Sequence, residues 1–285
     1  MNFSEYTHPG KWTDLYAELP DDLAALAAVV KNLAIHPVDV NRYGIRVTRE
    51  RSLTLRQLYT TECMLDDLFQ TPPVSLVAAR SPYRRLVEWC DYQAVLFASF
   101  GQYKGYEVRT RCGFASYLKP GRWTYHWVNE VRAPFYDDWT LLDIDRQCSP
   151  KREEFRTGAA WWSLKNTAGV SRLVALHYHG VEAVKHTLLC DFNALNRHEL
   201  VHSRWLDPET PSHSPAIYRT LYTQLGSRQK MRLDHIAAAI RDEDEARVST
   251  LFNDINYLGQ FRPAAARSEN GDAEPHASVA MPKEK

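Results

Sequence analysis

The segment from Trp89 to Asp143 contains one helix-like run followed by three strand-like runs, and this order constrains the fold most. The apolar run that begins at Cys90, C-D-Y-Q-A-V-L-F-A, is typical of a helix. From Tyr106 to Phe114, apolar residues alternate with charged ones, which is the period of a half-buried strand. The segments Y-H-W-V-N-E-V and W-T-L-L-D are also strand-like, and a short polar connection with a proline separates them. The pattern predicts an α+β fold with adjacent antiparallel strands.

Three side chains in this region are candidates for one functional site. Cys90 stands at the head of the helical run, His126 lies in one strand-like segment, and Asp143 ends the next. A thiol is a weak nucleophile until it loses its proton, and a helix N-terminus together with an imidazolium lowers its pKa. A carboxylate on the far ring nitrogen then holds the imidazole in one tautomer. The set predicts a Cys-His-Asp triad.

Two points about this triad stay open in the sequence. Asp145 has the same strand parity as Asp143 and is therefore a rival for the carboxylate; we favour Asp143 because it ends W-T-L-L-D. Ser81 and Pro82 form a good N-cap and first turn, and nothing obvious breaks a helix between them and Cys90. The residue pattern alone therefore also allows Cys90 to lie in the middle of a helix.

Taken together, C-D-Y-Q, H-W-V-N-E-V and W-T-L-L-D resemble the core of the transglutaminase-like superfamily. The segment 109–118, R-T-R-C-G-F-A-S-Y-L, resembles a strand of bacterial members, and 189–200, L-C-D-F-N-A-L-N-R-H-E-L, resembles a downstream helix in one bacterial branch. The resemblance spans roughly residues 8–207. Many bacterial relatives have Arg and then Asp after the cysteine, whereas Asp91 follows it directly here.

The resemblance implies a papain-like core, in which a cysteine-bearing helix packs on an antiparallel sheet with N-terminal and C-terminal helices on its flanks. It implies Cys90 as nucleophile, His126 as base and Asp143 as orienting acid. It also implies that the helix is broken before Cys90. The predicted organisation is a helical lead-in, a catalytic core with its extension, C-terminal helices and a disordered tail, over residues 1–80, 81–207, 208–262 and 263–285.

The implied chemistry is acyl transfer through a thioester on Cys90, which forms or cleaves an amide bond. The implied donor is an amide or a thioester, including one carried on a carrier protein, and the acceptor is a small amine or water. Two alternatives stay open: an amidase or peptidase-type hydrolase, and a non-catalytic binding module on the same scaffold. The resemblance implies neither a cofactor nor a metal ion.

Helices are predicted on both sides of this core. Leu19-Pro20-Asp21-Asp22 is typical of a helix entry, and residues 53–69 form a second amphipathic pattern that Thr71-Pro72-Pro73 ends. A linker-like stretch at 148–157 precedes helical patterns at 181–195 and 215–258. The segment 263–285 has almost no apolar clustering, which predicts the disordered tail.

The other cysteines and the histidines indicate no metal centre. Cys112 falls on the apolar side of the alternating strand and is predicted to be a core residue, and Cys63, Cys148 and Cys190 lack C-x-x-C spacing. Five histidines lie within 26 residues, but no H-E-x-x-H motif accompanies them: His177, His179, His186, His198 and His202. We expect them at the surface or in interfaces.

Composition gives no support for some classes of partner. The 35 basic and 35 acidic residues cancel, so charge gives no argument for nucleic acid or an anionic membrane. The chain shows neither a signal peptide nor an apolar run long enough for a membrane span. Five cysteines in 285 residues do not suggest a disulfide scaffold. We expect a reduced, cytoplasmic protein without nucleic-acid or membrane partners.

Overall fold

The computed structural model describes residues 2–48, 51, 55, 58, 60–134, 138–176, 178–199 and 227–253. Both helices and sheet are present, which confirms the α+β class. The α-helices are α1 (Leu23–Leu33), α2 (Thr61–Leu68), α3 (Cys90–Tyr103), α4 (Gly158–Trp162), α5 (Val181–Leu195), α6 (Ser227–Arg241) and α7 (Glu245–Asn253). Short 3₁₀ helices cover Gly10–Glu18, Pro37–Tyr43, Pro82–Arg84 and Val170–Arg172.

The main sheet has four antiparallel strands in the order β5-β4-β3-β6. Two further strand pairs are short: β1 with β2, in parallel, and β7 with β8. The strands are β1 (Ala34–Ile35), β2 (Leu86–Val87), β3 (Glu107–Lys119), β4 (Arg122–Arg132), β5 (Thr140–Leu142), β6 (Phe155–Thr157), β7 (Val174–Ala175) and β8 (Tyr178–His179).

The linker-like stretch at 148–157 contributes a strand. Its last three residues form β6, which pairs with β3 over Gly113–Ala115. A Cβ atom on Gly113 would lie 2.4 Å from the carbonyl oxygen of Arg156, so only glycine lets the two strands approach this closely. Because Gly113 on β3 is also the pairing partner of His126 on β4, this approach lies beside the candidate site.

Helix α3 begins at Cys90 because strand pairing holds the preceding chain extended. Leu86 and Val87 pair with β1, and the N–H of Glu88 donates to the carbonyl of Ile35 at 2.9 Å. Trp89 is still extended, with φ −70° and ψ 171°, and it is the N-cap residue of α3. Cys90 is therefore the first residue of a helix, as the resemblance implied, and does not lie in the middle of one.

Helix α3 forms the centre of the hydrophobic core. Every residue from Cys90 to Gln102 is buried, and the helix packs against α1 as well as β3 and β4. A helix that is buried all round is held in place by its neighbours on every side. This packing fixes the position of the N-terminus of α3 relative to the sheet.

The predicted helix over 53–69 is wrong in its extent. Thr60 has extended backbone, with φ −117° and ψ 156°, and its side chain accepts a hydrogen bond from the N–H of Cys63. Thr60 is thus the N-cap of a separate helix that begins at Thr61, whereas Leu55, earlier in the predicted span, is also helical.

Several predictions fall on residues outside the described part of the chain. These are the tail at 263–285, the segment 208–226, and His177 and His202. Within the described residues, no helix combines the length and apolar character that crossing a membrane requires.

Candidate active site

The His126 imidazole links the other two residues of the predicted triad. His126 lies on β4, and its Nε2 atom is 2.8 Å from Oδ2 of Asp143, the residue that follows β5. The His126 side chain also lies near enough to the Cys90 thiol, at the start of α3, for each group to shift the pKa of the other. Because Nε2 faces the carboxylate, Nδ1 is the ring atom left for the sulfur. Strand pairing, together with the packing of α3, brings together three side chains that are far apart in sequence.

Asp143 is held by more than the histidine. Its carboxylate accepts hydrogen bonds from the Tyr117 hydroxyl at 2.7 Å and from the N–H of Arg146 at 3.0 Å. Its backbone N–H and carbonyl both pair with Cys148, at 2.8 and 3.2 Å. With no solvent exposure and this set of donors, the carboxylate has one fixed orientation toward His126.

Asp145, the rival carboxylate, occupies a different environment. Its Oδ1 accepts from the Lys31 ammonium at 2.8 Å, and Arg146 lies 3.6 Å from its Oδ2. The structure places Asp143 on the His126 ring and Asp145 in an ion pair with α1.

Cys90 is almost fully shielded from water. Its exposed fraction is 8%, and the nearby backbone N–H of Trp127 acts to lower the pKa of the thiol. The thiol lies in a buried cluster that contains Ala94, Cys112, Trp127, Cys190 and Ala194. The first N–H groups of a helix have no partner inside the helix, so α3 presents donors and the positive end of its dipole at this point.

The protonation states follow from burial and from the close partners. Burial raises the pKa of the Cys90 thiol, and the charge and hydrogen bond of His126 oppose that rise. For His126, burial acts to lower the pKa, but the Cys90 charge and the hydrogen bonds of Asp143 and Cys90 outweigh it and raise the pKa to about 10. The His126 hydrogen bond and charge hold the pKa of Asp143 below its usual value despite burial. Asp143 therefore keeps its charge and favours a protonated imidazole.

Sequence reasoning missed His36, which follows β1. Its ring packs edge-on against Trp89, the residue before Cys90, with ring centroids 5.1 Å apart at 82°. Its Nδ1 accepts the N–H of Val38 at 3.3 Å, which leaves Nε2 as the protonated nitrogen of the neutral ring. Burial lowers the pKa of His36, and the charge of nearby His126 acts in the same direction. The pairing of β1 with β2 brings His36 to the site, and no local sequence motif predicts this position.

The aromatic residues near the triad in sequence do not all line the site. Trp127 is in the Cys90 cluster, whereas Trp139 packs against the guanidinium groups of Arg109 at 4.0 Å and Arg132 at 4.8 Å. A cavity of about 870 Å³ lies on that side and is lined by Trp139 and Glu130 among others, but by none of the three triad residues. Three arginines of its lining, Arg109, Arg111 and Arg152, form ion pairs with Glu130. Because no triad residue lines this cavity, it is separate from the triad chemistry.

The remaining cysteines and histidines form no metal centre among the described residues. Cys112 is fully buried, which confirms it as a core residue. His179 is exposed, whereas His186 is buried with its Nε2 3.5 Å from the sulfur of Cys190. The expectation that these histidines lie at the surface or in interfaces is wrong for His186, which is buried inside the chain.

The site thus consists of a buried thiol at a helix N-terminus, an imidazole in contact with it, and a carboxylate fixed on the far side of the ring. No family model, curated protein or solved structure matches this chain.

Proposed function

We propose that this protein is a cysteine-dependent acyltransferase with a papain-like or transglutaminase-like core, and that it forms a thioester on Cys90. The observation that carries the proposal is the contact of His126 with both the Cys90 thiol and the Asp143 carboxylate. Nucleophile, base and orienting group are the three roles that thiol acyl transfer requires.

In the first half-reaction, the Cys90 sulfur attacks the acyl carbon of an amide or thioester donor while His126 holds the thiol proton. The bond from the acyl carbon to the leaving group breaks, and His126 gives its proton to the leaving amine or thiol. In the second half-reaction, His126 takes a proton from the acceptor, which attacks the thioester and releases Cys90. Asp143 keeps the imidazole oriented throughout, and its carboxylate stabilises the imidazolium that forms.

Two groups are suited to stabilise the oxyanion of each tetrahedral intermediate. The backbone N–H of Cys90 is a natural first donor because it belongs to the first turn of α3. We assign the second donor to Nε2–H of His36, which packs on Trp89 and is kept neutral by burial. A neutral donor with a fixed tautomer suits this role because it needs no reorganisation during the reaction.

Shielding of the sulfur favours transfer to a small amine over hydrolysis. With 8% of Cys90 exposed, an acyl group on the sulfur would be surrounded largely by protein, so an acceptor that binds beside it competes well with water.

The test uses a small activated thioester as acyl donor and intact-protein mass spectrometry. We expect one acyl adduct on Cys90, discharged faster when a panel of small amines is added, and no turnover by Cys90→Ala. Cys112→Ala, in the same buried cluster, is the matched control and should keep turnover if it folds. Turnover by folded Cys90→Ala would refute the proposal. An adduct that decays at the same rate with every amine would identify a hydrolase, and a folded protein that is never acylated by any donor would support a binding module.

A further inference from the structure

A second pair of thiols lies next to the triad and has no part in the proposed acyl transfer. Cys112 on β3 and Cys190 on α5 belong to the same buried cluster as Cys90, and each thiol affects the pKa of the other. Both cysteines are free thiols, with exposed fractions of 0% and 6%.

The two elements that carry these thiols are clamped together. The Asp191 carboxylate accepts Nε of Arg111 at 2.8 Å and Nη2 at 3.0 Å, and it also accepts the backbone N–H of Cys112 at 3.1 Å. Asp191 follows Cys190 directly, so the bonds that fix α5 on β3 act at the residue next to each thiol. A thiol pair held in this way stays together without any large movement of the chain.

The surroundings make the two thiols unequal. His186, one turn before Cys190, places Nε2 3.5 Å from its sulfur and stacks on Tyr178 with ring centroids 5.1 Å apart. The hydrogen bond from Cys112, together with His186, outweighs burial and lowers the pKa of Cys190 to about 5. Burial and the neighbouring Cys190 raise the pKa of Cys112. The imidazole beside Cys190 thus favours the thiolate form at this cysteine rather than at Cys112, which is the kind of difference that a nucleophilic and a resolving cysteine need.

We propose that Cys190 and Cys112 form a redox-active pair that reacts with hydroperoxides and closes to a disulfide. The Cys190 thiolate attacks one peroxide oxygen, the O–O bond breaks, and Cys190 becomes a sulfenic acid while the leaving oxygen takes up a proton. The Cys112 thiol then attacks the sulfenic sulfur, an S–S bond forms, the S–O bond breaks, and water leaves with the Cys112 proton. Two thiols are oxidised and one peroxide is reduced. The pair does not depend on the role of Cys90.

The experiment treats the full chain with hydrogen peroxide, alkylates the remaining thiols after denaturation, and maps the peptides by mass spectrometry. We expect a cross-linked peptide pair joining Cys112 and Cys190, lighter by two hydrogen atoms and lost after reduction with dithiothreitol. The same product should form in Cys90→Ala, which separates this chemistry from the acyl-transfer proposal. Cys148→Ser removes the exposed cysteine and is the matched control that should leave the product unchanged.

Single variants define the order of the two steps. In Cys112→Ser, a dimedone adduct should accumulate on Cys190, whereas Cys190→Ser should leave Cys112 alkylatable at the same peroxide concentration. His186→Gln should slow the formation of the disulfide. Peroxide treatment of the wild-type protein that leaves both thiols alkylatable, or that joins either of them to Cys90 instead, would overturn the proposal even if a serine variant fails to fold.

Discussion

The Tyr117 hydroxyl and the His126 ring bind the same oxygen of Asp143, at 2.7 and 2.8 Å. Tyr117 lies on β3, His126 on β4, and Asp143 directly follows β5, so the contact joins groups from three neighbouring parts of the sheet. Groups from β3 and β4 therefore both bind this carboxylate oxygen. Its position relative to the imidazole depends on the pairing of β3, β4 and β5.

Removal of the Tyr117 hydroxyl tests this arrangement. Tyr117→Phe deletes a hydrogen bond to a buried charged group, which is worth about 1.5–3 kcal/mol, and we expect that loss in the free energy of unfolding measured with urea. Tyr106→Phe is the matched control, because that hydroxyl donates to the carbonyl of Asp21 at an exposed position. Its loss should be within about 0.5 kcal/mol. Equal losses in the two variants would contradict a structural role for the Tyr117 contact.

The two carboxylates should differ sharply in their effect on rate. Asp143→Asn is expected to lower the acyl-transfer rate by about 10⁴, because an amide favours the wrong tautomer of His126. Asp145→Asn removes ion pairs with Lys31 and Arg146, away from the His126 ring, and should change the rate little. Steady-state kinetics of both variants decides between them, and the reverse ranking would move the orienting role to Asp145.

The pKa of His126 should depend on Cys90. The Cys90 charge is the largest of the effects that raise the His126 pKa to about 10, so Cys90→Ala should lower that pKa. An NMR titration of the ring protons measures both values. An unchanged pKa in Cys90→Ala would mean that the thiol and the imidazole do not interact.

The same shift predicts how stability changes with pH. A histidine whose pKa is higher in the folded state than its unfolded value of about 6.5 contributes stability that is fully present below 6.5. This contribution is lost as the pH rises through about 10. The difference in unfolding free energy between wild type and His126→Gln should therefore shrink between these two values. A difference that grows with pH would contradict the assigned protonation state.

His36 should affect the chemical step more than binding. If Nε2–H of His36 stabilises the oxyanion, His36→Ala lowers kcat by about 10²–10³ with little change in KM. His179→Ala, at an exposed position on β8, is the control and should leave kcat unchanged. A rise in KM alone would assign His36 to substrate binding.

Residue patterns predicted the elements near the triad better than the contacts between them. Alternation located β3, and the strand-like blocks around His126 and Asp143 located β4 and β5. The pattern did not show that β3 and β4 are each buried on both faces over six consecutive residues. The start of α3 could not be located from the pattern, since its cause is the pairing of β2 with a strand about 50 residues earlier. His36 reaches the site through that same pairing.

Two other sequence predictions also differ from the structure. The helical pattern over 53–69 does not show the role of Thr60, whose side chain caps a separate helix that begins at Thr61. The segment 148–157 contains only three strand residues, too few for a period to be recognised, and its pairing with β3 depends on Gly113.

Gly113 also affects the tendency of this protein to self-associate. With only three residues, β6 covers part of an edge of β3, and it can do so because position 113 has no side chain. A larger residue there would displace β6 and leave the backbone donors and acceptors of residues 113–115 of β3 open to another chain. Self-association would then compete with folding, and the damage would be seen first as lost solubility.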